Sequence, residues 1–256
     1  MNPQEAELTR RFYAAYRSPR LAVLEGFHPA RHALAFGARL DVAVTYDRQK
    51  LLALAERLAP DSISGIADAL QVVSRERFTR LAQRSLSSPL LSICARPDYD
   101  IAGALGERDK PVVHLYRPRN PGNVGAVIRV AAAADLGAVT VSGQDPWSPV
   151  AIRSATGLQF ALPVARTELP TSCGRPIVAV DPDSAPLDTA SLSRDSILVV
   201  GGERHGLPAW VRESAHRSVG VPMKPGVSSL NLATALAAVL YSWRIAVFER
   251  DGCYPW

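Results

Sequence analysis

The stretch Asn120-Pro-Gly-Asn-Val-Gly-Ala-Val-Ile-Arg129 joins a polar turn with two glycines to an apolar helix that carries one arginine. Shortly before it stands an apolar β-run, Val112–Tyr116. A strand followed by a polar turn and a helix is the unit from which parallel sheets are built. The stretch therefore predicts an α/β fold, with the polar turn at the carboxyl end of a strand.

Two later β-runs end in the same way. The first passes into Val200-Gly-Gly-Glu-Arg-His-Gly206, and the second into Val221-Pro-Met-Lys-Pro-Gly-Val-Ser-Ser-Leu-Asn231. Because ligands of open α/β sheets bind beyond the carboxyl ends of the strands, we expect the three segments to converge at that edge. The sequence thus predicts one functional site built from three loops.

The second half of the chain contains five short apolar runs, spaced by helical or loop segments. Such runs are typical of strands that are buried on both faces of a parallel sheet. A helix with one apolar stripe follows the last run and begins at about Leu232. The runs are Val112–Tyr116, Ala138–Val141, Ile177–Val180, Ile197–Val200 and Val219–Val221, and the stripe is Leu236, Val239, Leu240, Trp243 and Val247.

The first hundred residues alternate β-runs with helical stretches, which predicts a smaller αβ module. Ser74 is the predicted N-cap of a helix rich in arginine. Between Arg96 and Pro111 the chain is rich in charge, proline and glycine, as linkers are, so we predict domains 1–106 and 107–256. The predicted elements are a strand passing into a helix within 21–35, a strand over Leu40–Tyr46, a helix over Gln49–Leu58 and a strand over Ala69–Val73.

Composition limits the class of protein. The chain has 256 residues, of which 47% are hydrophobic, and this is ample for ordinary globular cores. No run of about 18 uncharged apolar residues occurs, and the N-terminus does not read as a signal peptide, so we expect a soluble cytosolic protein without a membrane span. The net charge of +5 favours polyanionic partners, although many basic proteins have none.

Several enzyme classes are excluded by missing motifs. The chain has no GxxxxGK[ST] phosphate loop, no GxGxxG dinucleotide fingerprint after a strand and no GxSxG serine elbow. Its five histidines show no HExxH spacing, and Cys94, Cys173 and Cys253 show no CxxC spacing. We therefore expect neither a metal site nor a disulfide framework.

The three segments, in this order, resemble the SpoU (TrmH) family of RNA ribose 2′-O-methyltransferases, in the SPOUT superfamily, over about residues 112 to 248. Motif one of that family pairs an asparagine with an arginine six residues later, as Asn123 and Arg129 do. Motif two has a glutamate in a glycine-flanked loop, which Glu203 matches, and motif three ends in Ser-Leu-Asn at a helix start, which Ser229-Leu-Asn231 matches. Three motifs in the family's order make the resemblance specific.

The resemblance implies a fold, a cofactor and a partner. The fold would be an α/β knot of the SPOUT type, a mostly parallel sheet with a deep trefoil knot. S-adenosyl-L-methionine would lie bent within the knot, and glycine at position 201 would let the backbone approach it closely. Members of the family are dimers that pack their C-terminal helices near the active site, so we expect a homodimer. The residues that match cofactor-binding positions, or lie beside them, are Gly201, Val221, Met223 and Leu230.

The N-terminal module resembles the L30e-like substrate-binding domain of the same family through Leu24-Glu-Gly-Phe-His-Pro-Ala-Arg-His-Ala-Leu34. The implied partner is RNA, either rRNA or tRNA, and shape recognition by a separate domain favours rRNA. Arg77, Arg80 and Arg84 lie on one face of the predicted helix, where they either contact RNA phosphates or face solvent.

The implied reaction is in-line attack of a ribose 2′-oxygen on the sulfonium methyl group. The family pattern places Arg129 beside that hydroxyl. Since a guanidinium keeps its proton, we assign Arg129 to binding the adjacent phosphate and stabilising the developing alkoxide. Asn123 would orient the arginine or the substrate, Glu203 would fix charged groups, and Ser229 and Asn231 would organise the loop at the helix start.

Other interpretations of these residues stay open. Asn123 and Asn231 are suited to capping helices, and Arg129 and Glu203 are suited to an internal salt bridge. Two further functions fit the chain as a whole. One is a knotted RNA-binding protein without catalysis, and the other is a methyltransferase of the same superfamily that acts on a base nitrogen.

Overall fold

The computed structural model describes residues 3–187 and 192–251, which divide into two compact units. The first unit comprises the described residues of Met1–Asp98 and Trp147–Ala161, and the second those of Tyr99–Pro146 and Leu162–Trp256. The helices are α1 Pro3–Arg17, α2 Phe27–Ala35, α3 Arg48–Leu58, α4 Ile63–Ala67, α5 Arg75–Ala82, α6 Ile101–Gly106, α7 Pro121–Ala133, α8 Pro149–Ala155, α9 Ala209–Ser214 and α10 Leu232–Asp251. The strands are β1 Leu21–Glu25, β2 Leu40–Thr45, β3 Leu70–Val72, β4 Leu91–Ala95, β5 Val112–Tyr116, β6 Ala138–Val141, β7 Val164–Arg166, β8 Ile177–Val180, β9 Ile197–Gly201 and β10 Arg217–Val219.

In the first unit, four strands form one sheet in the order β1-β4-β2-β3. Strand β4 is antiparallel to β1 and β2, whereas β2 and β3 are parallel. Helices α1 and α5 pack on this sheet through a core that includes Phe12, Val23 and Phe78. The hydroxyl of Ser74 accepts from Arg77 N at 3.3 Å, which confirms the predicted N-cap of α5. The elements predicted for this module are confirmed, while its likeness to an L30e-like domain stays a prediction.

The three arginines that the sequence predicts on one face of α5 do not share an exposed face in the structure. Helix α5 ends at Ala82, so Arg84 lies beyond it. The guanidinium of Arg77 lies 3.1 Å from the carboxylate of Glu5, and its side chain is only 14% exposed. Arg80 alone of the three is both exposed and on the helix. The idea of one arginine face is therefore wrong, because an ion pair and the helix end remove two of its members.

The second unit contains a six-stranded sheet in the order β10-β8-β9-β5-β6-β7. All neighbouring strands in it are parallel. The carboxyl ends of β5, β9 and β10 therefore lie at one edge, as the sequence predicts. Helix α10 packs against α7, and its predicted apolar stripe is buried. The polar turns thus reach a common edge because the apolar runs before them share one sheet.

The last strand differs from its predicted position. The sequence predicts a strand over Val219–Val221, but β10 spans Arg217–Val219. The chain leaves the sheet at Gly220, whose N–H donates to Ala185 O at 2.8 Å and whose carbonyl accepts from Leu187 N at 2.9 Å. The loop that follows β10 consequently begins two residues earlier than the apolar run indicates.

Most of the predicted linker, from Tyr99 to Pro111, is a structured part of the second unit. It contains helix α6, which begins where the Asp100 side chain accepts from Gly103 N at 2.9 Å. Ala104 and Leu105 are buried in the core cluster of the sheet. Burial of these apolar side chains stabilises the helix on the strands. The second unit therefore begins at Tyr99 and leaves out Trp147–Ala161, whereas the sequence predicts a single boundary at residue 106.

A segment from the middle of the chain belongs to the first unit. Trp147–Ala161 carries α8, which packs against β1. Glu25 at the end of β1 is buried, and Arg153 on α8 forms an ion pair with it. The hydroxyl of Tyr16 donates to the same carboxylate at 3.3 Å. A buried carboxylate needs such partners, so the pair fixes the segment to β1.

Helix α10 is long and apolar enough, by length and composition alone, to cross a membrane over Leu232–Glu249. Core helices of folded domains meet the same criterion. Leu236 and Leu240 are fully buried in the second unit, and Arg244 donates to the carbonyl of Ala134 just beyond the end of α7. A helix that buries its apolar side chains and an arginine within its own unit has the features of a core helix.

Candidate functional site

The loops after β9 and β10 line one cavity of about 630 Å³ at the carboxyl edge of the parallel sheet. Residues of the predicted catalytic set, namely Glu203, Ser229 and Asn231, lie in its wall. So does every predicted cofactor-binding residue. The structure thus brings motifs two and three together around one space. The cofactor-binding residues in the wall are Gly201, Val221, Met223 and Leu230.

Two glycines allow the loop after β9 to close. A Cβ at Gly201 would lie 2.2 Å from the carbonyl carbon of Gly206, and a Cβ at Gly202 would lie 2.5 Å from the carbonyl oxygen of Arg117. Backbone atoms in a packed loop do not give way to a side chain, so both positions require glycine. The sequence predicts glycine at 201 for close approach of a ligand, whereas in the structure the close approach is made by the chain's own backbone.

Glu203 fixes the beginning of motif one. Its carboxylate accepts from Arg119 N at 2.9 Å, from Asn120 N at 3.3 Å and from the side-chain amide of Asn123 at 2.7 Å. Partial burial would raise the pKa of Glu203, but these hydrogen bonds outweigh burial and hold the pKa below its usual value. Glu203 is therefore a charged acceptor at neutral pH that holds the loop before α7.

Asn123 also forms a hydrogen bond to motif three. Its side-chain oxygen accepts from the side-chain amide of Asn231 at 3.1 Å. The Asn231 oxygen in turn accepts from Ala233 N at 3.0 Å and from Thr234 N at 3.4 Å, which caps α10. Asn231 is thus a helix cap and also a link between motifs one and three.

The side chains of Glu203, Asn123 and Asn231 form a continuous hydrogen-bonded series, which we call the motif bridge. Asn123 belongs to it rather than capping α7, because the cap of α7 is Asn120, whose side chain accepts from Gly122 N at 2.8 Å. The bridge joins the three predicted loops directly. It is the contact that makes one site of three segments distant in the sequence.

Arg129 lies on α7 and is not in the wall of the cavity. Its side chain is exposed, and within the described parts of the chain it forms no hydrogen bond or ion pair. The carboxylate of Glu203 is occupied by motif one, so the alternative of a salt bridge between Arg129 and Glu203 is wrong. An exposed guanidinium is accessible to a phosphate or a carboxylate from another molecule.

Sequence analysis missed the polar residues after β8. Asp181 is only 6% exposed, and it accepts from Asp183 N at 3.0 Å and from the Arg212 guanidinium at 3.4 Å. All three residues line the cavity. A signal was present, because Asp181 follows the apolar run Ile177–Val180 directly, just as the motif loops follow theirs. The cavity therefore offers two carboxylates and a guanidinium that the three motifs do not contain.

The polar groups of the site are amides, hydroxyls, carboxylates, guanidinium groups and the imidazole of His205. Among the residues that the structure describes, no group of three or more His, Cys, Asp or Glu is placed to hold a metal ion. Cys94 is buried in β4, and Cys253 lies outside the described residues. The groups present suit an organic ligand with charged and hydrogen-bonding parts.

Known proteins similar to this chain are RNA methyltransferases. The family model of the SpoU rRNA methylases matches residues 110–241, just over half of the chain. A 23S rRNA (uridine(2479)-2′-O)-methyltransferase of Streptomyces viridochromogenes is 34% identical over 212 residues, which cover 77% of this chain and 73% of the relative. A 23S rRNA (guanosine(2553)-2′-O)-methyltransferase of Bacillus subtilis, RlmP, is 28% identical over 73% of this chain and 77% of the relative.

The fold is also similar to that of a solved structure. The SpoU methyltransferase AviRb from Streptomyces viridochromogenes, in complex with the cofactor AdoMet, matches 98% of this chain and 99% of its own with a TM-score of 0.74 and 24% identity. The likeness confirms the predicted α/β fold with a mostly parallel sheet, and the knot stays a prediction. Because the family model spans all three motifs, the resemblance found in the sequence is confirmed as well. The chain belongs to the SpoU rRNA methylase family.

Proposed function

We propose that this chain transfers a methyl group from S-adenosyl-L-methionine to the ribose 2′-hydroxyl of a nucleotide in ribosomal RNA. Family membership supports this activity, as do the names of the Streptomyces and Bacillus relatives, both 23S rRNA 2′-O-methyltransferases. The observation that carries the proposal is the motif bridge, because it ties the three motif loops into one site beside a cavity of suitable size.

The cavity fits S-adenosyl-L-methionine in size and in chemistry. Its volume of about 630 Å³ is in the usual range for cofactor sites. The apolar side chains of Val221 and Leu230 suit the adenosine part of the cofactor. Asp181 suits its positively charged groups, and Arg212 suits its carboxylate. The residues that we assign to cofactor binding are Gly201, Val221, Met223 and Leu230, and AviRb, which shares the fold, is described in complex with AdoMet.

When bound, S-adenosyl-L-methionine supplies a methyl group on a positively charged sulfur, which a ribose oxygen attacks in line. Arg129 binds the neighbouring phosphate of the RNA and stabilises the negative charge that develops on the 2′-oxygen. Its guanidinium keeps its own proton, so the hydroxyl proton passes to that phosphate or to water. Asn123 and Asn231 hold motifs one and three together through their amides, which keeps the reacting groups in place. Glu203 anchors the loop before α7, and Ser229 orders the loop before α10.

The proposal includes a second copy of the chain. Tyr241 and Ile245 on α10 are 38% and 51% exposed, and Arg129 is exposed on the neighbouring helix α7. Large apolar side chains exposed on one helix favour a homodimer that packs these helices together. The proposal further includes a SPOUT-type knot in the second unit and an L30e-like RNA-binding role for the first. The place of action would be the cytoplasm, where ribosomal RNA is located.

The test of the mechanism is an Arg129→Ala variant, assayed for methyl transfer to ribosomal RNA from cells that lack this gene. Because the variant loses the charge that stabilises the alkoxide, we expect kcat to fall by about a hundredfold to a thousandfold. The affinity for S-adenosyl-L-methionine, measured by calorimetry, should be largely unchanged. Mass spectrometry of the digested RNA identifies the methylated nucleoside and the position of the methyl group.

Arg166→Ala is the matched control, because Arg166 is an exposed arginine on β7 of the same unit. This variant should keep full activity. Unchanged turnover in Arg129→Ala would remove Arg129 from the mechanism. A methyl group on a base nitrogen would support the base methyltransferase instead. Failure to bind S-adenosyl-L-methionine at millimolar concentration would support the RNA-binding protein without catalysis.

A further inference from the structure

A second cavity, of about 250 Å³, neighbours the large one in the second unit. The loop Gly202–Gly206 lines both cavities. The smaller cavity also takes part of its wall from the end of β5, and the roles assigned to the three motifs do not account for it. We call it the Tyr116 groove, after a wall that includes Tyr116, Arg117, Arg119, Arg204, His205 and Pro208.

An exposed aromatic ring stands beside this groove. Trp210 on α9 packs edge to face against Tyr116, with ring centroids 6.0 Å apart and an interplanar angle of 74°. Trp210 is 47% exposed, whereas Trp147 and Trp243 are 6% and 7% exposed. A flat ring that is supported on one edge and open to solvent is the kind of surface on which nucleobases stack.

The backbone places a positive charge next to these rings. Arg117 has a φ of 45°, a left-handed conformation that is rare for a residue with a side chain. Its N–H donates to Ser142 Oγ at 3.0 Å, which holds this turn. Its guanidinium carbon lies 5.5 Å from the centroid of the Tyr116 ring, within the range of a cation–π contact. Strained residues of this kind are concentrated at ligand sites.

The Tyr116 groove is basic. Arg119, Arg204 and His205 line it together with Arg117. The acidic residue in its wall, Glu203, is occupied by its hydrogen bonds to motif one. The guanidinium groups of the three arginines form no ion pair with a carboxylate in the described parts of the chain. The groove thus offers several cationic groups to an anionic ligand.

We propose that the Tyr116 groove binds an unpaired nucleotide of the RNA substrate, beside the nucleotide that is methylated. The base stacks on Trp210, and its phosphates contact Arg117 and Arg204. The proposal rests on the proposed function, because the groove adjoins the cofactor cavity through one shared loop. A paired base does not expose its ring face, so the groove selects a loop or a bulge of the RNA.

The combination of ring and charge favours a nucleotide over simpler ligands. A free phosphate would satisfy the arginines but leave the Trp210 ring uncovered. An RNA duplex would present phosphates without a free ring face. A single unpaired nucleotide would cover the Trp210 ring, which stands beside the groove against Tyr116, and neutralise the charge of the arginines that line the groove.

The test uses single-stranded oligoadenylate RNA as the probe. Every protein carries Trp256→Phe, so that the reporting tryptophans are Trp147, Trp210 and Trp243. We expect oligoadenylate to quench the tryptophan emission of this parent protein. Trp210→Ala should weaken binding of the labelled RNA, followed by anisotropy, by about tenfold. Trp210→Tyr should restore most of the affinity, because a base stacks on either ring.

Arg204→Gln tests the phosphate contact: the slope of log affinity against log salt concentration should become shallower by about 0.7. Trp147→Phe is the matched control and should keep both the affinity and the quenching. Unchanged affinity in Trp210→Ala, or equal quenching by duplex RNA, overturns the inference. Calorimetry of S-adenosyl-L-methionine with the parent protein tests the proposed function separately. Absence of cofactor binding would overturn that function, while the stacking measurements decide the groove itself.

Discussion

Glu203 acts on the site through the groups that it holds in place. In Glu203→Ala, two backbone N–H groups and the amide of Asn123 lose their common acceptor. A hydrogen bond to a charged group contributes about 1.5 to 3 kcal/mol. If the transition state loses the stabilisation of one such bond, kcat/KM for methyl transfer falls by at least about tenfold. The kcat/KM of Glu203→Gln should fall less, because the oxygen of the glutamine amide still accepts hydrogen bonds. Steady-state kinetics with both variants measure the difference.

The pKa of Glu203 adds a second readout to this experiment. Because the pKa is lowered, the carboxylate stays ionised as the pH falls below the ordinary carboxyl range, and its contribution is lost only below the lowered pKa. At pH 4.5, where an unshifted glutamate would be half protonated, cofactor affinity should therefore still persist. Glu213→Ala, exposed on α9, is the control and should behave as the wild type. Normal kcat/KM in Glu203→Ala would contradict the role of the motif bridge.

His114 makes stability depend on pH. It is fully buried in β5, where burial lowers its pKa to about 4, and Nδ1 lies 2.9 Å from Thr140 Oγ1. The unfolded chain binds the proton near pH 6.5, while the folded chain resists it until about pH 4, so stability falls between these values. The expected loss is about 2 kcal/mol in unfolding free energy from pH 7 to pH 5.

Chemical denaturation at the two pH values checks this expectation for His114. In His114→Gln the unfolding free energy should differ much less between pH 7 and pH 5. In His28→Gln, at an exposed position of α2, the difference between the two pH values should be that of the wild type. The same pH dependence in wild type and His114→Gln would show that other groups cause it.

Residues that bear a motif could be predicted from the sequence, but their partners could not. Asn123, Glu203 and Asn231 were identified because each follows a β-run in a recognisable pattern. Their mutual hydrogen bonds depend on strand order, which no local pattern contains. Asp181 follows a β-run too, yet it stands outside the three motifs. Its burial beside Arg212 depends on the position of β8 between β9 and β10, and strand order cannot be derived from a local sequence pattern.

At the level of elements, helix α6 depends on one buried arginine. The guanidinium of Arg175 donates to Leu105 O at 2.8 Å, to Lys110 O at 2.9 Å and to Ala104 O at 3.4 Å. Arg175→Ala leaves these carbonyls without a donor, and we expect the unfolding free energy to fall by about 3 kcal/mol. Arg175→Lys should recover only part of this, because an ammonium lacks the planar fork.

Chemical denaturation measures this loss, and hydrogen exchange of the α6 amides locates it. In Arg175→Ala these amides should exchange much faster than those of α7. Exchange in α6 that matches the wild type would contradict the proposed dependence. Arg108, which donates to Cys173 O from an exposed position, provides the control variant Arg108→Ala.

The elements that sequence reasoning missed are those fixed by tertiary contacts. Helix α6 lies in a segment rich in glycine and charge, and it forms because Ala104 and Leu105 are buried and Arg175 satisfies its last carbonyls. Strand β10 ends two residues early because Gly220 pairs with a neighbouring loop. Propensity and periodicity describe only local preference, so both features are decided by packing.

For the whole molecule, the exposed face of α10 predicts assembly. Ile245→Arg puts a charge into the proposed contact between two copies, so we expect association to weaken by about thirtyfold or more. Analytical ultracentrifugation should then show monomers where the wild type forms dimers, and methyl transfer should fall with them. Leu58→Arg, at an exposed apolar position of the first unit, is the control. A monomeric wild type, or a dimeric Ile245→Arg, would contradict the proposed interface.

The motif bridge can form only late in the synthesis of the chain on the ribosome. Its central member, Asn123, is far in the chain from both of its partners: it is 80 residues from Glu203 and 108 residues from Asn231. Motif one leaves the ribosome first; the side-chain N–H group of Asn123 gains its acceptor when Glu203 is made, and the side-chain oxygen of Asn123 gains its donor only with Asn231. A nascent chain that stalls before Asn231 would already contain strand β5 and helix α7, but its site would lack motif three and the hydrogen bond from Asn231. Competence for binding the methyl donor should therefore arise abruptly, late in translation, rather than grow with chain length.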